Sequence, residues 1–187
     1  MNTRTALKLI AALLLSFSAI IAPRTAAATP SANTFSITIR PGESKVLTIP
    51  VKRAASAFWS TSYITITGNN TGATSDGIQA LATSSCTGVQ KAYNASGYVL
   101  YQWTARSEYD YTGTTATIWG HIGKPGSWWG WGFDSEIWVG SGNGTATARG
   151  VSIGYFKHVA GAKEYARIEF VVQKNGVCTM SGSIGTW

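Results

Sequence analysis

The chain has 187 residues, of which 12% are charged and 12% aromatic, with eight tryptophans, two cysteines and a formal charge of +7. Two cysteines are too few for a cysteine-rich mini-scaffold, and no run of lysine and arginine marks a nucleic-acid footprint. The length fits about one domain with a real core.

The start reads as an export signal. Arg4 and Lys8 precede an apolar run over residues 9–22, too short to span a bilayer comfortably, and Ala26, Ala27 and Ala28 supply a small-residue cleavage site. Cleavage after Ala28 divides the chain into a signal peptide, residues 1–28, and a secreted domain, residues 29–187. Three of the fifteen basic residues (Arg4, Lys8, Arg24) leave with the signal and all eight acidic ones stay, so the mature charge is 12 − 8 = +4. In an oxidising compartment Cys86 and Cys178 are expected to pair, closing a loop of about 90 residues worth roughly 4 kcal/mol in the chain-entropy model.

Phe35, Ile37 and Ile39 alternate with polar residues, Pro41-Gly42 turns the chain, and Leu47, Ile49 and Val51 resume the alternation. This strand–PGES–strand unit resembles the opening hairpin of immunoglobulin-like secreted domains. Residues 58–67 (FWSTSYITIT) form an aromatic, β-branched strand, and GNNTGATSDG (68–77) has loop composition. Residues 78–92 are the one stretch with a helical pattern, interrupted at Thr87-Gly88. Strands follow over 98–105, 108–111 and 114–119, then from 136 to 139, and over 145–159, 165–174 and 177–184, with Asn175-Gly176 as a hairpin turn. Nine or ten strands and almost no helix predict an all-β fold: an antiparallel two-sheet β-sandwich, immunoglobulin-like or jelly-roll, with one disulfide.

The oddest stretch is WGHIGKPGSWWGWGFDSEIW, residues 119–138, which holds five of the eight tryptophans among five glycines. Glycine weakens a strand and large aromatics are foreign to disordered linkers, so a structured loop displaying indoles is expected. Trp119 and Trp138 are assigned to strands facing the core. Trp128, Trp129 and Trp131 are the candidate ligand-binding residues, because WWGWG cannot turn all three rings inward by period two. Tyr109 and Tyr111 are added as neighbours. An indole offers a broad apolar face with one N–H donor, which suits stacking on a sugar, seating in a lipid headgroup layer or anchoring a protein.

Other constellations are weaker. Glu108 and Asp110 share a strand face, as do Asp134 and Glu136, and two such pairs on neighbouring strands could build a glycosidase site. Small basic jelly-roll xylanases resemble this chain in general character, but their glutamate-bearing motifs are missing. His121 and His158 sit at no metal-ligand spacing, and no G-x-S-x-G elbow occurs, so no metal, cofactor or catalytic residue is assigned. Asn69, Asn94 and Asn143 head N-glycosylation sequons. The expectation is a secreted, non-enzymatic binding protein that docks on a polysaccharide or cell-wall polymer through its Trp/Gly-rich loop, with no nucleic-acid partner. The alternatives are a membrane-active sandwich, similar in charge, size and clustered aromatics to actinoporin-type cytolysins, then a self-assembling surface subunit donating strand 34–40, then a small glycosidase or a secreted inhibitor.

Overall fold

The computed structural model describes residues 34–51, 58, 60–72 and 82–187; the expected signal peptide lies outside them. Ten strands follow in order: β1 Thr34–Ile39, β2 Ser44–Pro50, β3 Tyr63–Asn70, β4 Ala82–Tyr93, β5 Val99–Tyr111, β6 Ala116–Ser127, β7 Trp131–Ser141, β8 Thr147–His158, β9 Lys163–Gln173 and β10 Cys178–Thr186. They form two five-stranded sheets, β1-β10-β9-β8-β7 (sheet I) and β2-β3-β4-β5-β6 (sheet II), with every paired neighbour antiparallel. The expected two-sheet β-sandwich is present. Its connections are those of a meander: every paired neighbour is consecutive in sequence except β1 and β10.

Period two builds the core. Along β5 the residues Tyr101, Trp103, Ala105, Ser107, Tyr109 and Tyr111 all point inward and are buried. Facing them, β8 presents Ala148, Gly150, Ser152, Gly154 and Phe156. The small inward residues of β8 make room for indoles: a Cβ at Gly154 would lie 2.5 Å from the Trp103 ring, whose Nε1–H donates to Ser152 Oγ at 3.1 Å. The disulfide expected between Cys86 and Cys178 forms, with Cα atoms 6.4 Å apart. It ties β4 in sheet II to β10 in sheet I.

Several local expectations fail: the strands expected over 98–105 and 108–111 are one strand, β5, and most of the loop expected over 119–138 belongs to β6 and β7. The helical pattern of residues 78–92 is overturned by β4, a twelve-residue strand from Ala82 to Tyr93. Its inward positions Cys86, Gly88, Gln90 and Ala92 are buried against the opposite sheet, and such burial overrides weak helical periodicity. The loop composition of residues 68–77 also misleads at its start, since Gly68, Asn69 and Asn70 pair with Gly88, Thr87 and Cys86; residues 73–77 lie outside the described ones.

The meander sorts the connections by end. Those joining β2–β3, β4–β5, β6–β7 and β8–β9 emerge at one end of the sandwich, and the remaining five emerge at the other. Backbone hydrogen bonds knit each end: Val159 N–H donates to Gly130 O at the first, and Gly113 N–H donates to Lys174 O at the second.

Candidate functional site: an aromatic pole

At the first end every connection carries an exposed apolar side chain: Phe58 (β2–β3), Tyr98 (β4–β5), Trp128 and Trp129 (β6–β7), and Val159 (β8–β9). At the opposite end, none of the described connection residues is an exposed large hydrophobe. It carries glycine, threonine and asparagine instead, as in Thr112–Thr115, Gly142–Thr145 and Asn175-Gly176.

The β6–β7 connection is a tight turn in which the Trp131 N–H donates to Trp128 O at 3.0 Å. Its two central residues, Trp129 and Gly130, have φ of 56° and 81°, the pairing that a primed hairpin turn demands. Glycine adopts that region freely, whereas tryptophan does so at a cost of about 1–2 kcal/mol. Trp129 is the one non-glycine residue with positive φ among the described residues. A pair of hydrogen bonds holds it there. The Ala160 N–H donates to His158 Nδ1 at 3.0 Å, so the other ring nitrogen carries the hydrogen, and Nε2–H donates to Trp129 O at 2.8 Å.

The Trp129 ring meets Tyr98 at 4.9 Å and 56°, and Phe58 at 5.9 Å and 81°, while Phe58 and Tyr98 meet at 5.9 Å and 51°. Asn94 positions two of them. Its Oδ1 accepts from the Ser96 and Tyr98 N–H groups, and its Nδ2 donates to Phe58 O at 2.9 Å. Beneath the cluster, buried Glu164 accepts from Thr61 Oγ1 at 2.8 Å and from the Tyr101 hydroxyl at 2.6 Å, which anchors the β2–β3 connection to sheet I. On the flank, Trp187 carries Lys163 Nζ 4.4 Å above its ring.

The candidate tryptophans divide. Trp128 and Trp129 are half exposed, at 47% and 51%, but Trp131 is buried at 5%, packed on Tyr101 with ring centroids 5.0 Å apart. Tyr109 and Tyr111 are not surface neighbours of the loop either. Both point into the core near the opposite end, where the Tyr109 hydroxyl lies 2.8 Å from Asn70 Oδ1 and 3.0 Å from Gly176 O. Burial pushes the Tyr109 pKa up to about 12. The inward face of β5 takes these tyrosines because Glu108 and Asp110 occupy its outward face, as period two requires. Trp138 packs against the core as expected, but Trp119 is 56% exposed, contrary to its assignment to the interior.

The acidic pairs do not meet. Glu108 and Asp110 lie on the outer face of sheet II, where they contact Arg106 and Thr83. Glu136 lies on the inner side, beside Gly123 and Trp103. Asp134 sits at a register shift in β7 and pairs with Lys157 at 2.7 Å. Among the described residues no three His, Cys, Asp or Glu side chains gather as a metal site. Of the sequon asparagines, Asn69 is exposed, whereas Asn94 and Asn143 spend their amides on backbone carbonyls of Phe58 and Ile118. Sequence reasoning missed Phe58, Tyr98 and Val159 at the pole; they become visible only once strand order assigns each connection to an end.

No protein-family model matches the chain, and comparison with curated proteins and with solved structures likewise gives no match.

Proposed function

We propose that this is an exported, non-enzymatic docking protein that attaches to the cell surface by its aromatic pole, seated in the interfacial layer of a lipid membrane. The carrying observation is the segregation of exposed apolar connection residues to one end of the sandwich. Tryptophan and tyrosine partition to the membrane–water boundary, and the cluster adds Val159, 88% exposed, as an aliphatic tip. Half of a large aromatic ring represents on the order of 100 Å², so its transfer from water is worth about 2 kcal/mol. Four such rings suit reversible peripheral attachment.

Glycan docking at the same pole is the second reading. It keeps Trp128 and Trp129 but not Trp131, Tyr109 or Tyr111, which are buried. The mutual angles of 51–81° tilt Phe58, Tyr98 and Trp129 against one another, unlike the flat platform a sugar face prefers. The non-enzymatic reading draws support from the separation of the acidic pairs: Glu108 and Asp110 lie on the outer face of sheet II, whereas Asp134 and Glu136 lie on β7 of sheet I, with Glu136 turned inward.

Co-sedimentation decides between these readings. The native protein is expected to sediment with phosphatidylcholine–phosphatidylglycerol vesicles, and a Trp128→Ala/Trp129→Ala variant with an unchanged melting temperature to remain in the supernatant. Sedimentation with cellulose, chitin or peptidoglycan alone, lost in that variant, would transfer the pole to glycan docking. A native protein that stays in solution with all four would overturn docking by the pole.

A further inference from the structure

A second feature lies on the outer face of sheet II, away from the pole. The register between β5 and β6 shifts at Glu108/Tyr109: Tyr109 pairs with Ile118, Glu108 pairs with Gly120, and Trp119 is left over. This is a β-bulge, which inserts one residue and re-aims its neighbours. Ile118 before it and His121 after it keep their inward orientation, so Trp119 and Gly120 both fall on the outer face. Trp119 faces outward by ordinary alternation after the inward Ile118, and the bulge places Gly120 beside it on the same face.

Gly120 is the companion of that indole. The Glu108 side chain folds over it, and a Cβ there would stand 2.7 Å from Glu108 Oε2. Beside them a groove of about 230 Å³ opens, with Trp119, Glu108, Arg106, Thr71, Thr83 and Ser85 on its lining. Its polar groups are of both kinds. Arg106 Nη2 lies 3.0 Å from Glu108 Oε1, with 45% of the arginine and 22% of the glutamate side chain still exposed. The Thr83 hydroxyl donates to Asp110 at 2.7 Å, and the Thr71 and Ser85 hydroxyls lie 3.0 Å apart.

We propose that this groove is a binding site for one ring of a neutral saccharide, stacked on Trp119 and hydrogen-bonded by Arg106, Glu108 and the threonine and serine hydroxyls. The choice of ligand follows from charge and shape. A phosphate or sulfate would meet Glu108 and Asp110 as well as the single arginine, and a cationic ligand would meet Arg106. A neutral sugar has hydroxyls that both donate and accept, which matches a guanidinium–carboxylate pair, and an apolar ring face that matches an exposed indole. The volume lies below the 300–1,000 Å³ typical of pockets that engulf a drug-sized ligand, so the site holds one ring while the rest of a chain runs across the sheet. This site does not depend on the aromatic pole.

The test is titration of the native protein with glucose, galactose, mannose and N-acetylglucosamine, followed by nitrogen–proton correlation of the tryptophan side-chain N–H groups. At least one sugar is expected to shift the Trp119 indole signal, with a dissociation constant of about a millimolar. Trp119→Ala is expected to weaken that sugar by about tenfold or more. Gly120→Val, which pushes a side chain into Glu108, is expected to do the same while Trp119 remains. Glu108→Gln serves as a third variant should either of these lower the melting temperature. Trp128→Ala/Trp129→Ala should leave sugar binding intact, and Trp119→Ala should leave vesicle binding intact, so failure of one site is distinguishable from failure of the other. No shift with any of the four sugars at roughly 50 mM, or equal binding by native and Trp119→Ala protein, would overturn the site.

Discussion

His121 shows how a single side chain links the inner face of the sandwich to solution pH. Its ring stacks on Trp138 at 4.0 Å and 6°, with both ring nitrogens buried and neither in a hydrogen bond of good geometry. Burial lowers its pKa from the ordinary 6.5, and the nearby Glu136 carboxylate opposes that only in part. A base with a depressed folded pKa stays neutral in the native state while the unfolded chain takes up the proton. Its stabilising contribution is therefore complete above pH 6.5 and is lost as the pH falls from there toward the folded pKa. The urea midpoint is expected to drop between pH 7 and pH 5 in the native protein. In His121→Phe, which keeps the stack and removes the proton site, that part of the slope should vanish. Asn70 matters in a different way. Its amide donates to Ile39 O and Gly176 O, and its carbonyl oxygen accepts from Gly72 N–H and Ser84 Oγ. Asn70→Ala orphans several buried groups at once and should cost about 2–3 kcal/mol in denaturant unfolding. Nothing in the dipeptide Asn69-Asn70 announces this, because the partner at Gly176 lies 106 positions away. Residue roles of that kind depend on pairing, which local composition does not encode.

Single elements were more legible where alternation was clean. Phe35, Ile37 and Ile39 do share the inward-facing side of β1, and Tyr109 and Tyr111 do stand opposite Glu108 and Asp110. Where a bulge intrudes, period two misassigns everything past it. The shift at Glu108/Tyr109 puts Gly120 on the outer face beside Trp119 and turns His121 inward, and the one between Phe133 and Ser135 takes Asp134 out of step with Glu136. The glycine–tryptophan stretch 119–138 was expected to be one structured loop, but most of it belongs to β6 and β7, which lie in different sheets, and only residues 128–130 form the turn, with Trp129 at φ 56°. That conformation makes a separable prediction, since strain retained at an exposed aromatic residue suggests selection for what the ring touches rather than for stability. Trp129→Asn suits the left-handed region better and should hold or raise the melting temperature. The same change removes the ring that joins Phe58 to Tyr98. Vesicle affinity should fall about 30-fold, the equivalent of about 2 kcal/mol. A variant that is stabilised and still binds vesicles fully would separate the turn from the docking role.

Across the whole molecule the two ends are held by different means, and this separates stability from attachment. The end opposite the pole contains the Asn70–Tyr109–Gly176 hydrogen bonds together with Cys86 and Cys178, which pair opposite Asn70 and Val172. The pole is held by Asn94, His158 and the Glu164–Tyr101–Thr61 bonds. The disulfide spans 92 positions and joins the two sheets, so in the chain-entropy model it removes about 4–5 kcal/mol of freedom from the unfolded chain. That is a large share of the 5–15 kcal/mol by which domains are commonly stable. Reduction, or the Cys86→Ala/Cys178→Ala variant, should lower the unfolding free energy by about that amount and shift the urea midpoint accordingly. While the reduced protein remains folded in the cold, its vesicle binding should match that of the oxidised form, because no pole contact involves either cysteine. Loss of binding in step with loss of the disulfide, at a temperature where the fold persists, would mean that the polar end shapes the aromatic one through the sheets, and the division of labour between the two ends would not hold.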